Sequence, residues 1–172
     1  MRKAKKKFPN RIIDVGIAEQ NLVGVAAGIA LSGKKPYVMT TAFFLTLRAY
    51  DQIHTDIAYN DVNVRLIGAD AGTDISGPTH DSICDLAIMS ALPNFTVVTL
   101  SDTRQFLMVL NVSLSYSKPI YFRMPRDGSP EIYTNENCRF KIGEANILLE
   151  GHDITIIAVG RCVHYALQAA KR

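Results

Sequence analysis

One carboxylate stands where chemistry could be done. Glu19 is followed by two amides, Gln20 and Asn21, at the start of a stretch that is otherwise apolar and contains glycine. A carboxylate carried into such surroundings must be neutralised, paired or used. Spacing alone leaves two readings open: a proton-handling group in a dry site, or a partly exposed side chain in a first helical turn, where the helix dipole favours negative charge. His80, in the run GPTH, ends a polar loop that begins at Asp70. A lone histidine there is ordinarily structural or exposed. A protein-held metal is not indicated, because Cys84, Cys138 and Cys162 lack ligand spacing and no histidine joins them in a cluster. His54, His152 and His164 receive no role.

The elements around these residues follow from hydrophobic period. After a short β-branched run, Arg11 to Val15, apolar residues recur at helical spacing from Gly16 to Ser32, which predicts a buried helix. Gly24 and Gly28 lie four apart on it, and their cost of roughly 1 kcal/mol each relative to alanine predicts close backbone packing as compensation. Strands are expected at Tyr37 to Thr40, Val62 to Ile67, Thr96 to Leu100 and Ile120 to Met124. Helices are expected at Leu45 to Ala58, at Asp81 to Leu92, and from a cap at Ser101 or Asp102 to Ser115. Strands alternating with helices predict an α/β fold with a mostly parallel sheet covered on both faces, whose ligand site lies at the C-terminal ends of the strands.

Beyond Pro125 the composition turns polar and turn-rich as far as Lys141. A hairpin is expected around Gly143 to Gly151, then a strand at Ile154 to Val159 and a helix at His164 to Lys171.

Composition bounds the class. The 172 residues are 48% hydrophobic and 20% charged, the profile of a packed globule rather than a disordered chain. No run could span a bilayer, and the start has no apolar segment suited to a signal peptide. The net charge of +3 comes largely from a basic cluster in the first seven residues. Without aromatic interleaving it reads as a solvated terminus rather than a nucleic-acid arm. The expectation is therefore a cytoplasmic protein with reduced thiols and neither nucleic acid nor membrane as partner.

Several long segments carry a family resemblance. IIDVGIAEQNLVGVAAGIALSGKKPYV (Ile12 to Val38), RAYDQIHTDIAY (Arg48 to Tyr59), GPTHDSICDLAIMSALPNFTVV (Gly77 to Val98) and PIYFRMPR (Pro119 to Arg126) resemble the C-terminal subunits of transketolases and the matching part of deoxyxylulose-phosphate synthases. The ending, GHDITIIAVGRCVHYALQAAK, is similar to the entry into that family's third domain. The resemblance implies a thiamine-diphosphate-binding fold, with residues 1–126 as pyrimidine-binding domain, 127–152 as linker and hairpin, and 153–172 as the start of a C-terminal domain.

It also implies roles. Glu19 would hydrogen-bond a ring nitrogen of the cofactor's aminopyrimidine and so switch it on. Phe44 would pack on that ring, with Phe43 as its substitute, although a core Phe at a strand end is an equal reading. His80 would reach the substrate near its reactive carbon. Arg123 would contact the sugar phosphate and Arg48 would line the same channel, each alternatively a surface ion-pair partner.

The sequence departs from the family in three places. It lacks the GDG motif and Asn-containing loop that hold magnesium and diphosphate, so a diphosphate-binding N-terminal subunit is expected to bring the Mg2+ site, in a homodimer or heterotetramer. Ser76 replaces an acid that precedes the GPTH run in relatives, with Asp74 the nearest acid, which opens the sugar specificity. Relatives also carry a further strand and helix before the basic start, so a sheet short of its first βα unit, or completed by a neighbour, is expected.

The activity implied is two-carbon ketol transfer between sugar phosphates. The alternatives are 1-deoxy-D-xylulose-5-phosphate synthesis, favoured by RAYDQ, and a non-catalytic, cofactor-free remnant that only binds a partner.

Overall fold

The computed structural model describes residues 2–73, 75–126, 128, 130–134 and 140–171. Asp74, Cys138 and residues 127, 129 and 135–139 of the expected linker lie outside the described residues. Four strands form one parallel sheet: β1 (Tyr37–Thr41), β2 (Arg65–Ala69), β3 (Thr96–Thr99) and β4 (Ile120–Arg123), in the spatial order β1-β2-β4-β3. The described helices are α1 (Arg2–Lys7), α2 (Glu19–Leu31), the short α3 (Tyr50–Gln52), α4 (Asp85–Ser90), α5 (Thr103–Ser115) and α6 (Cys162–Ala170). The chain is an α/β protein with helices on both faces of a parallel sheet.

Strand register explains why both faces are covered. Val38 pairs with Leu66, and Leu66 and Val97 with Tyr121, so one row of side chains crosses the sheet. That row packs with Val23, Ala26 and Ala27 of α2, Met89 of α4 and the helical stretch after β1. One residue along, Ile67, Phe122 and Val98 form the opposite row, which packs on Val109 of α5. Because side chains alternate along a strand, each central strand needs apolar residues at every position. The runs LI in β2 and IYF in β4 meet that need.

The stretch between β1 and β2 is unusual. Phe44–Arg48 and Ile53–Tyr59 are π-helical, joined through α3. Their i→i+5 turns are wider than those of an α-helix and are frequent at functional sites. Leu45, Ala49, Ile53 and Ile57 recur every four residues on this wider helix and are all fully buried.

Two polar clusters fasten α5. Asp102 caps it: Oδ1 accepts from Gln105 N at 2.7 Å, and Oδ2 accepts from Ile132 N and Tyr133 N at 2.7 and 2.9 Å. Of the two expected caps, the structure selects Asp102. At the other end, buried Arg65 donates to the carbonyls of Ser113, Tyr116 and Lys118 at 2.5, 2.6 and 3.1 Å. Burial pushes its guanidinium pKa down, against the pull of Tyr37 and Tyr116. Arg65 thus closes the helix end, where cations complement the dipole.

Several expectations are corrected. The buried helix starts at Glu19 rather than Gly16, because Gly16 has a φ of +76°. Pro9–Arg11 is a 3-10 turn, and the short β-branched run that ends at Val15 joins no strand. The helix expected from Asp81 is shorter, Asp85–Ser90, because the Ser82 backbone is drawn into a bridge with Gly72, exchanging both hydrogen bonds at 2.9 and 3.0 Å.

Close packing at the helix glycines is also absent. A Cβ on Gly28 would meet nothing within 4 Å, and one on Gly24 would make only an ordinary contact, 3.8 Å from Asp56 Oδ2. The expected hairpin at 143–151 and the strand at 154–159 do not form. Ile154 and Ile157 are 82% and 90% exposed, and a strand with no partner to bond has nothing to stabilise it. The helix after them is present as α6.

Candidate functional site

The C-terminal ends of the strands gather the singled-out residues. Phe43 and Phe44 follow directly on β1, at the start of the helical stretch after it, His80 lies in the loop after β2, and Arg123 is the last residue of β4. Glu19 is the first residue of α2, a helix capped by no side chain, where the dipole complements a carboxylate.

Burial decides between the two readings of Glu19. It is 5% exposed, which removes the surface reading. Its Oε2 accepts from Arg48 Nη1 at 2.8 Å. The same guanidinium lies over Phe44, its Cζ 4.4 Å from the ring centre. Phe44 in turn meets His80 edge to face at 5.0 Å and Phe43 at 5.3 Å. The wide turn Phe44–Arg48 sets residues four apart nearly one above the other, so Arg48 covers Phe44 and reaches Glu19 together.

Glu19, Arg48, Phe44, Phe43 and His80 therefore form one connected group. The arrangement supplies a buried carboxylate, an aromatic face and a planar hydrogen-bonding group between them. A planar heterocycle bearing ring nitrogens could make both contacts that the guanidinium makes. His80 is exposed, and its Nδ1 lies 2.9 Å from Thr79 Oγ1, so Nε2 is the ring nitrogen without a hydrogen-bond partner among the described residues.

Arg123 belongs to a second cluster. Its Nε donates to Asp85 Oδ2 at 2.8 Å and its Nη2 to the Ser82 carbonyl at 3.2 Å. The hydroxyl of Tyr121 donates to the same Asp85 oxygen at 2.8 Å. Burial, then the neighbouring Asp85 charge, pushes the Tyr121 phenol pKa far up, so it stays protonated and a donor. Asp85 and Tyr121 escaped the sequence reading. The available signal was the strand period, which sets Tyr121 and Arg123 two apart on one face of β4.

Ser76 accepts from Arg126 Nη1 at 2.6 Å. Among the described residues no group of three or more His, Cys, Asp or Glu could hold a metal ion.

Known proteins resemble the chain closely. A family model described as "Transketolase, pyrimidine binding domain" matches residues 1–130. An apulose-4-phosphate transketolase subunit of Phocaeicola vulgatus is 39% identical over 166 residues, covering 95% of this chain and 53% of that protein. 1-Deoxy-D-xylulose-5-phosphate synthase of Carboxydothermus hydrogenoformans is 37% identical, covering 97% of this chain and 27% of that one. A structure described as "Split gene transketolase, inactive beta4 tetramer" superposes with a TM-score of 0.90 at 40% identity, over 98% of this chain and 54% of that one. The chain thus spans about half the length of the curated subunit relatives it matches.

Proposed function

The chain belongs to the transketolase pyrimidine-binding domain family, and from that premise we propose that it supplies the ring-activating half of a thiamine-diphosphate site in a two-component transketolase. The observation that carries the reading is the stack of Arg48 on Phe44 with its hydrogen bond to buried Glu19. A flat, hydrogen-bonding group already fits between that aromatic face and that carboxylate, so the residues present suit an aminopyrimidine.

In the proposed mechanism Glu19 holds a proton shared with a ring nitrogen. Its burial keeps water from competing for that proton, so that a bound aminopyrimidine would be held by Glu19 through its ring nitrogen. When bound, the cofactor supplies the carbanion chemistry. Phe44 and Phe43 fix the ring plane. His80, exposed beside Phe44, presents Nε2 to a substrate oxygen, and Arg123 takes the anionic end of a sugar phosphate.

The other half of the site is assigned to a diphosphate-binding subunit that holds Mg2+. Ile17, Ile75 and Ile83, in the segments flanking the site, are 93%, 91% and 75% exposed. Large apolar side chains left open around a site suit a covering partner. The 40% identical relative, a split-gene transketolase described as an inactive β4 tetramer, supports the same division of labour. Residues 127–152 and 153–172 are proposed as the connection to, and the beginning of, a C-terminal domain.

Deoxyxylulose-phosphate synthesis is the second reading, favoured by the 37% identity to such a synthase. Reconstitution with a diphosphate-binding subunit separates the two. Two-carbon transfer from a ketose phosphate, dependent on thiamine diphosphate and consuming no pyruvate, is the expected result. Pyruvate consumption would support the synthase, and a complex without thiamine-dependent activity would support a cofactor-free remnant.

A further inference from the structure

A carboxylate with no exposure sits behind Arg123. Asp85 is fully buried at the start of α4, and one oxygen, Oδ2, accepts from both Tyr121 and Arg123. A buried charge pair carries a desolvation cost that a hydrophobic replacement would avoid. The packing of a six-residue helix gives no reason for it.

The surrounding backbone is shaped to admit this group. A Cβ on Gly68 would lie 2.5 Å from the Tyr121 hydroxyl, so only glycine in β2 lets the phenol reach Asp85. A Cβ on Gly72, whose φ is +98°, would lie 3.3 Å from Arg123 Nη2. Gly72 therefore lets the loop close over the guanidinium, whose Nη2 meets the Ser82 carbonyl at 3.2 Å. Two nitrogens of Arg123 are thus held inward. Nη1 has no hydrogen-bond partner among the described residues, and the side chain keeps 17% exposure.

We propose that Asp85, seconded by Tyr121, is a positioning residue that holds Arg123 by its Nε edge so that the Nη1 end faces an anionic oxygen of the substrate. The proposal rests on the reading of Arg123 as the sugar-phosphate contact. A mobile arginine loses side-chain freedom when it binds; a clamped one has lost it already. Because the Arg123–Asp85 pair is neutral overall, the recognition is directional rather than a long-range pull on any anion. The fork geometry of guanidinium then favours a phosphate oxygen over a diffuse charge.

The test uses the chain, nitrogen-15 labelled and assembled with its unlabelled diphosphate-binding subunit, titrated with ribose 5-phosphate, with ribose as control, and followed through the arginine Nε–Hε signals in nitrogen–proton NMR spectra. Wild type is expected to respond to ribose 5-phosphate and not to ribose, and Arg123→Gln to lose the response. Asp85→Asn should raise Kd about tenfold and shift the Arg123 Hε signal upfield, and Tyr121→Phe should raise Kd about threefold.

Tyr121→Phe removes one hydroxyl only, so it keeps the test alive if Asp85→Asn fails to fold, which thermal melting reports. Wild-type affinity in both Asp85→Asn and Tyr121→Phe, with Arg123→Gln silent, would overturn the positioning role alone. Wild-type affinity in Arg123→Gln, or no response of the wild type, would instead overturn the reading of Arg123 beneath it.

Discussion

Arg48 and Glu19, 29 residues apart in the chain, meet through a 2.8 Å hydrogen bond that joins a half-exposed guanidinium to a carboxylate that is 5% exposed. The bond ties the wide helical turn after β1 to the first turn of α2. It also places a planar cation on Phe44, where the proposed function needs a planar ring.

On that function, guanidinium and ring exclude one another. Arg48→Ala is expected to tighten thiamine diphosphate binding to the assembled enzyme, by about tenfold for the loss of one charge-assisted hydrogen bond that the cofactor must displace. Calorimetric titration checks it. Weaker binding in the variant would mean that Arg48 supports the ring instead of standing in for it.

His80 is exposed and contributes only an edge contact to Phe44. His80→Asn should leave the melting temperature within the small range of surface substitutions while lowering kcat of the assembled enzyme by roughly a hundredfold or more, the usual scale for a proton-transferring group. Steady-state kinetics beside a melting curve separate the two effects.

How much of this was legible beforehand depends on whether the signal was local. The alternation of strands and helices, the Asp102 cap and the end of α5 at Ser115 follow from period and cap chemistry, which act within a few residues. Glu19 was marked out by its setting, but its burial depends on Arg48 and Phe44 folding over it, a long-range event. Asp85 reads locally as an ordinary acid in a first helical turn and Tyr121 as a core aromatic; only their meeting across 36 residues gives them a role. Ile154 to Val159 has every local mark of a strand and forms none, because strand formation depends on a neighbour that local pattern does not specify.

The polar clusters on α5 give two stability predictions. Arg65→Met would strip its hydrogen bonds from the carbonyls of Ser113, Tyr116 and Lys118, of which Tyr116 keeps Asn63 Nδ2 at 3.1 Å, and should destabilise by about 2 kcal/mol or more. Asp102→Ala would free the backbone N–H groups of Gln105, Ile132 and Tyr133, and about 3 kcal/mol is expected from the cap and the two distant donors. Urea unfolding at constant m-value measures both.

Asp61 supplies a pH dependence. Its carboxyl is held below its ordinary value of 3.8 first by the hydrogen bond from Lys118 and then by that from Asn94. A depressed folded-state pKa adds stability above the unfolded value, and that stability is lost as pH falls through the folded value. Both side chains of the Lys118 pair are about half exposed, so solvent screening limits the effect to about 0.5 kcal/mol. Asp61 has a φ of +49°, which asparagine also tolerates, so Asp61→Asn isolates the charge. Unfolding midpoints of variant and wild type should differ at neutral pH and converge below pH ~3.

The central claim is that Glu19 activates thiamine diphosphate, and exchange of the cofactor's thiazolium C2 proton for deuterium, measured by quenched-flow NMR in the enzyme assembled with its diphosphate-binding subunit, tests it most directly. Glu19→Gln should fold and assemble as the wild type does yet slow that exchange by at least about a hundredfold; exchange at the wild-type rate in the assembled variant would contradict the account.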